Sequence, residues 1–249
     1  MIVLAHLSDT HLDGGARNAG RTARVMAYLA GLTRPVDAVV VTGDIADHGT
    51  VSEYEEAREL FSVPGPVLTC PGNHDDRARL REVLLGRNGG DAPANQVYAT
   101  ERAVLAVADS SVPGRDDGFL ADETISWLGE VLEDAPAGKP VFVCFHHPPV
   151  ALHIPYVDDI RQRGEERLAA LIAGHPQVAA ILCGHAHTAA ATTFAGRPVL
   201  VAPSVSSTLL LPWERGETVD YGLPPMIAFH VLGDDGRLTT HYRVVDRQV

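Results

Sequence analysis

Five apolar runs in this chain break off into short polar motifs rich in Asp, His and Gly, and that pattern limits the fold more than any other feature. The motifs are Asp9-Thr10-His11, Gly43-Asp44-Ile45-Ala46-Asp47, Gly72-Asn73-His74-Asp75, His146-His147-Pro148 and Gly184-His185-Ala186-His187. Six of the 12 histidines lie inside them. Open α/β sheets bind ligands outside the carboxyl ends of their strands, where several such loops converge. Side chains alternate along an extended segment, so DxH and HxH spacings aim two side chains into one small volume. Gly43, Gly72 and Gly184 directly precede candidate ligands, as expected where backbone turns beside a crowded site.

Between the motifs, β-branched runs alternate with amphipathic stretches. Strands are predicted over 2–8, 37–42, 66–70, 140–145 and 178–183, and helices over 21–32, 52–61, 122–133 and 165–173. The first helix puts Val25, Tyr28, Leu29 and Leu32 on one face. Ser52, with a Glu three residues on, reads as the cap of the second. Residues 9–20 read as a polar loop, and 96–100 with 103–108 as a hairpin across Glu101-Arg102. After Gly184, strands at 190–194, 198–202, 226–232 and 238–245 are separated by turns such as Gly233-Asp234-Asp235-Gly236. No repeat, linker or low-complexity stretch divides the chain. The expectation is one α/β domain over 1–249, with a mixed sheet or two sheets packed face to face.

At 249 residues, 45% of them hydrophobic, the chain is long enough to bury a full core. It has no run of 18 or more apolar residues, so no transmembrane helix is expected. Residues 1–6 lack a basic segment and a long apolar stretch, and read as a first strand of a cytoplasmic protein. Cys70, Cys144 and Cys183 are far apart and each ends an apolar run, so they read as small buried hydrophobes rather than disulfide or thiolate ligands. A net charge of −12 without any Lys/Arg run argues against an extended nucleic-acid surface. An anionic substrate must then be attracted by something other than side-chain cations, which points to bound metal.

The donors are Asp9, His11, Asp44, Asn73, His146, His185 and His187: imidazole nitrogen with carboxylate or amide oxygen, and no thiolate. Such a set favours Mn, Fe, Zn or Co over a structural cysteine-rich zinc site. Seven donors exceed the need of one tetrahedral ion and suit two divalent ions about 3.5–4 Å apart with a bridging carboxylate. Two such ions outweigh the charges of Asp9 and Asp44, so the site stays cationic inside an acidic protein. Taken singly, Asp9 or Asn73 reads as a turn residue; the ordered set reads as a metal site. His146 and His147 compete for one ligand position.

In that order, DTH, GDIAD, GNHD, HHP and GHAH resemble the calcineurin-like metallophosphoesterases, over roughly residues 3 to 203. The segment from Gly43 to Gly49 with the HHPP form is similar to bacterial class III cyclic-nucleotide phosphodiesterases and their glycerophosphodiesterase relatives. The resemblance implies a four-layer αββα sandwich of two mixed β-sheets with the metals at the sheets' edge. It assigns Asp9, His11 and His187 to one ion, Asn73, His146 and His185 to the other, and Asp44 to both. It takes His146 over His147 as ligand, makes His74 the group that contacts phosphate and protonates the leaving oxygen, and makes a water between the ions the nucleophile.

The plainer reading of His74 is a histidine steadied by Asp75. Asp47 and Asp75 read as groups that orient a ligating histidine or meet a helix N-terminus. His6, His48, His153, His175, His230 and His241 read as ordinary histidines, with His48 and His153 flanking site loops. The long segment 204–225 is either an irregular surface loop, or a wall of the substrate cleft or a homodimer contact. The expected activity is hydrolysis of small phosphodiesters, 3′,5′-cyclic nucleotides such as cAMP among them. The rivals are a glycerophosphodiesterase, a broad phosphoesterase or phosphomonoesterase, a non-catalytic metal-binding scaffold and, disfavoured by the acidic surface, a DNA nuclease.

Overall fold

The computed structural model describes residues 1–246. The first third is a βαβαβα run: β1 (Ile2–Leu7), α1 (Ala16–Ala30), β2 (Ala38–Thr42), α2 (Val51–Leu60), β3 (Val67–Cys70) and α3 (Arg77–Val83). The middle holds β4 (Gln96–Ala99), β5 (Val104–Val107), β6 (Gly118–Phe119), α4 (Asp122–Asp134), β7 (Val141–Cys144), α5 (Pro155–Asp159) and β8 (Gln162–Arg163). There follow α6 (Glu165–Ala173), β9 (Val178–Cys183), β10 (Ala190–Phe194) and β11 (Arg197–Val201). Last come β12 (Thr208–Leu209), β13 (Val219–Asp220), β14 (Met226–Leu232) and β15 (Leu238–Val244).

These strands form two mixed sheets, ordered β15-β14-β1-β2-β3 and β10-β11-β9-β7-β5-β4. Both contain a parallel run; the first has antiparallel strands on one side only, with β3 as a parallel edge, and the second has an antiparallel strand at each edge. Strand alternation divides the apolar residues into three cores. Ile2, Leu4 and Val40 meet Leu105, Phe142 and Leu182 between the sheets. Ala5, Leu7, Val39 and Val41 instead face Val25, Leu29, Tyr54 and Leu80 from α1, α2 and α3. On the far side Val141, Val143 and Ile181 pack against Leu128, Leu132, Leu168 and Ile172 from α4 and α6. The result is the four-layer αββα sandwich. No helix among the described residues is long and apolar enough to cross a membrane.

The helix expected over 21–32 begins at Ala16, inside the expected 9–20 loop. Tertiary bonds hold that first stretch: Asn18 Nδ2 donates to the His11 carbonyl at 2.6 Å, and Arg21 Nε to the Val205 carbonyl at 2.6 Å. Thr50, not Ser52, caps α2, exchanging bonds with Glu53 in a capping box. Neither α3, which buries only Leu80, nor the five-residue α5 is in the sequence reading. Within segment 204–225, β12 and β13 pair over two residues each.

Candidate metal centre

The parallel strands β1, β2, β3, β7 and β9 all end at one edge of the sandwich, and the five motifs follow them directly. The backbone does not stay extended there. Seven described non-glycine residues have left-handed φ, and five of them are Asp9 (56°), His11 (42°), Asp44 (47°), His185 (70°) and His187 (52°). Asp9/His11 and His185/His187 therefore converge through paired left-handed kinks rather than through strand alternation. Such conformations are costly and cluster at functional sites. Gly43 combines φ of 82° with a close approach, since a Cβ there would lie 2.5 Å from His146 Nδ1. At Gly184 a Cβ would collide with Ser8 Oγ and the Thr42 carbonyl.

Three of the four imidazoles are fixed by what holds their outward nitrogen, whereas the buried Nε2 of His185 has no hydrogen-bond partner. His11 Nδ1 donates to Asp47 Oδ1 at 2.8 Å, His146 Nδ1 donates to the Thr42 carbonyl at 2.6 Å, and His187 Nδ1 pairs with Ser207 Oγ at 2.8 Å. The inward nitrogens then crowd together. His11 Nε2 lies 3.1 Å from His187 Nε2, and His146 Nε2 lies 3.1 Å from His185 Nδ1. Asp44 Oδ2 stands between the two pairs, 3.6 Å from His11 Nε2 and 3.4 Å from His146 Nε2. Asp9 Oδ1 is 3.6 Å from His187 Nε2, and Asn73 Oδ1 is 3.2 Å from His146 Nε2. All seven predicted donors are thus brought together. With Nδ1 bonded outward, His11 and His146 turn Nε2 inward towards the other nitrogens, where only a proton or a cation relieves the repulsion between facing lone pairs. The donor set fits a pair of cations on that ground.

Burial sets the protonation. It pushes His187 down to about 3, with His11 adding to the effect, and holds His185 well below the usual range, so both are neutral donors. Burial raises Asp9 to about 6. For the Asp44–His146 pair burial opposes charge on both, but their mutual attraction wins. Asp44 stays well below the carboxylate range and His146 rises to about 9.

His147 is tied elsewhere. Its Nδ1 pairs with Ser110 Oγ at 2.8 Å and its Nε2 faces the Asp116 carbonyl at 3.2 Å, while its ring stays close enough to His146 and His185 for the three to form a potential ion-holding group. His74 is half exposed at the rim: its N–H donates to Asp44 Oδ1 at 2.9 Å and its Nδ1 to the Asp47 carbonyl at 3.0 Å. The carboxylate beside it is Asp47, at 3.5 Å, and not Asp75. Asp75 is a brace, accepting from the Gly72, Ala46 and Ile45 N–H groups at 2.8, 3.0 and 3.1 Å and so locking two motif loops together. His48 bonds Glu53 at 2.7 Å and borders Asp47 at 3.5 Å. Sequence reasoning missed Ser207, although the Ser-rich run 204–207 is itself a polar turn after a strand, β11. It also missed the Thr42 carbonyl, which has no sequence signature.

The cluster opens into a cavity of about 340 Å³ lined by His11, Asp44, Asn73, His74, His185 and His187 together with part of segment 204–225. A larger cavity of about 840 Å³ lies among Met1, Arg102, Pro136 and Arg197, away from every candidate donor.

The calcineurin-like phosphoesterase family model matches residues 2–189. The chain is 38% identical to the glycerophosphodiester phosphodiesterase GpdQ of Enterobacter lignolyticus, over 92% of this chain and 86% of that one. It is 35% identical to a cAMP/cGMP dual specificity phosphodiesterase of Mycobacterium tuberculosis, over 87% and 71%. A dimetal phosphatase from Danio rerio shares the fold, with a TM-score of 0.74 at 13% identity over 98% of this chain and 96% of that one. By sequence and by architecture, then, this chain belongs to the calcineurin-like phosphoesterase family.

Proposed function

We propose that this protein is a dinuclear metal-dependent phosphodiesterase of small diesters, 3′,5′-cyclic nucleotides such as cAMP among them. The observation that carries it is the pair of inward-facing nitrogen clusters on either side of Asp44. Asp9, His11 and His187 would hold one ion and Asn73, His146 and His185 the other, with Asp44 shared. Mixed nitrogen and oxygen donors suit Mn, Fe, Zn or Co. Two cations bound there supply Lewis-acid polarisation of the phosphoryl oxygens and activation of water.

The remaining chemistry belongs to the chain. His74 donates Nδ1–H to the Asp47 carbonyl, which leaves Nε2 as the ring nitrogen available to a substrate, with the Asp47 carboxylate 3.5 Å away. From the rim it would serve as the general acid towards the departing alkoxide oxygen. Asp47 also steadies His11, so one carboxylate orients a metal ligand and the acid together.

A second reading, hydrolysis of glycerophosphodiesters, is favoured by the identity to GpdQ. Comparing kcat/KM for cAMP, 2′,3′-cyclic nucleotides, glycerophosphodiesters and a monoester on metal-reconstituted protein tests both. Diesters are expected to lead. A preference for the monoester overturns the phosphodiesterase reading, and no turnover of any ester with added Mn²⁺ revives the scaffold. One core shared by both sheets supports the one-domain reading, and three free, buried cysteines support a cytoplasmic protein.

A further inference from the structure

The metal-facing end of the cavity is polar, whereas its outer wall carries Tyr156, Ile160, Leu209, Val219 and Tyr221. Both tyrosines are open to solvent, Tyr156 at 64% and Tyr221 at 62%. Large exposed aromatics grouped at a cleft mark a binding face.

Tyr221 is held in place. The Arg17 guanidinium lies 5.2 Å from its ring centroid and donates to the Tyr221 carbonyl at 2.5 Å and the Ser206 carbonyl at 2.8 Å. Asp220 Oδ1 accepts from the Gly222 and Leu223 N–H groups at 2.6 and 3.1 Å, closing the turn. Pairing of β12 with β13 ties Tyr221 to the loop that bears Ser206 and Ser207. Tyr156 stands on α5, between Ile154 and Val157, which are buried in the outer core of the second sheet. Segment 204–225 is thus a built wall of the cleft.

The chemistry of that wall narrows its ligand. No Lys or Arg lines the cavity among the described residues, so a second anionic group finds no partner away from the metals. Arg17 already occupies one face of the Tyr221 ring and its charge opposes a second cation on that ring, so the lining carboxylates Asp13 and Asp47 are the places a quaternary ammonium would turn to. The open face suits a neutral planar group. Nucleobases stack on aromatic side chains with little regard to sequence, whereas a glycerol unit has no π-face to offer.

We propose that Tyr221, assisted by Tyr156, is a stacking subsite for the nucleobase of a nucleotide diester, making the cleft selective for cyclic nucleotides over glycerol diesters. This rests on the phosphodiesterase reading above. Steady-state kinetics of the metal-loaded full chain on cAMP and on glycerophosphocholine test it, with Tyr221→Leu, Tyr221→Phe and Tyr156→Leu. Leucine keeps bulk without the π-face, so Tyr221→Leu should lower kcat/KM for cAMP about tenfold or more, mainly through KM. Tyr156→Leu should lower it in the same sense by a smaller factor. Tyr221→Phe should stay near wild type, and glycerophosphocholine turnover should be unchanged in all three. Equal losses on both substrates, a loss confined to glycerophosphocholine, or no loss on cAMP overturns the subsite. Wild-type turnover of glycerophosphocholine without cAMP refutes the subsite alone; turnover of neither refutes the phosphodiesterase reading and the subsite with it.

Discussion

A histidine can meet a cation through either ring nitrogen, and what grips the far nitrogen decides which. Asp47, the Thr42 carbonyl and Ser207 make that choice for His11, His146 and His187, whereas Ser110 and the Asp116 carbonyl engage both nitrogens of His147. His74 is held differently: its side-chain bond is to a loop carbonyl, and its ring packs edge-on against His11 at 4.6 Å. Its removal leaves every donor in place. His74→Ala is therefore expected to keep both ions, by elemental analysis, while kcat falls by about 10²–10⁴. A loss of metal instead would make His74 part of the ion cage and remove its acid role. Donor identities were legible in the sequence because their order along the chain is unusual. The left-handed backbone that aims them was not, because Asp and His enter it more readily than most residues yet nothing in their spacing says where they do.

At the scale of elements, the first sheet carries a polar ladder on a face that is otherwise apolar. His6 Nε2 pairs with Thr42 Oγ1 at 2.9 Å, His6 Nδ1 with His230 Nε2 at 3.0 Å, and His230 Nδ1 with Thr240 Oγ1 at 2.9 Å. Burial pushes His230 down to about 3, and burial with the neighbouring His230 holds His6 well below its usual range. In the unfolded chain each titrates near 6.5. Below that pH the unfolded chain takes up protons the folded sheet refuses, so this stability is intact above 6.5 and declines as pH falls towards 3. His230 alone accounts for a loss of about 2 kcal/mol at pH 5. Urea melts between pH 7 and 5 should show a shallower pH slope for the His6→Leu/His230→Leu double variant; an equal slope would acquit the pair. The strands were readable because continuous apolar runs mark elements buried on both faces. The start of α1 was not, because bonds from Asn18 and Arg21 to distant carbonyls fix it. Helix α3 was missed because seven residues burying one leucine leave little periodicity.

Over the whole molecule, the donors divide between the sheets. Asp9, His11, Asp44 and Asn73 follow strands of the first, and His146, His185 and His187 follow strands of the second. Two metal ions held among them would fasten the two sheets at one edge, since ligands that bind only the folded state stabilise it by mass action. Removing metal with a chelator should lower Tm, and restoring Mn²⁺ or Zn²⁺ should raise it; at a hundredfold excess over Kd the gain is about 2.7 kcal/mol. An unchanged Tm across that cycle would mean the cluster takes no ion. The outward grips on His11, His146 and His187 have a wider consequence. They come from a carboxylate, a carbonyl and a hydroxyl of the chain, so the cage keeps its shape between occupants. An incoming cation would meet donors already in position, so its identity would be decided by supply weighed against affinity and not by the folding of the cage.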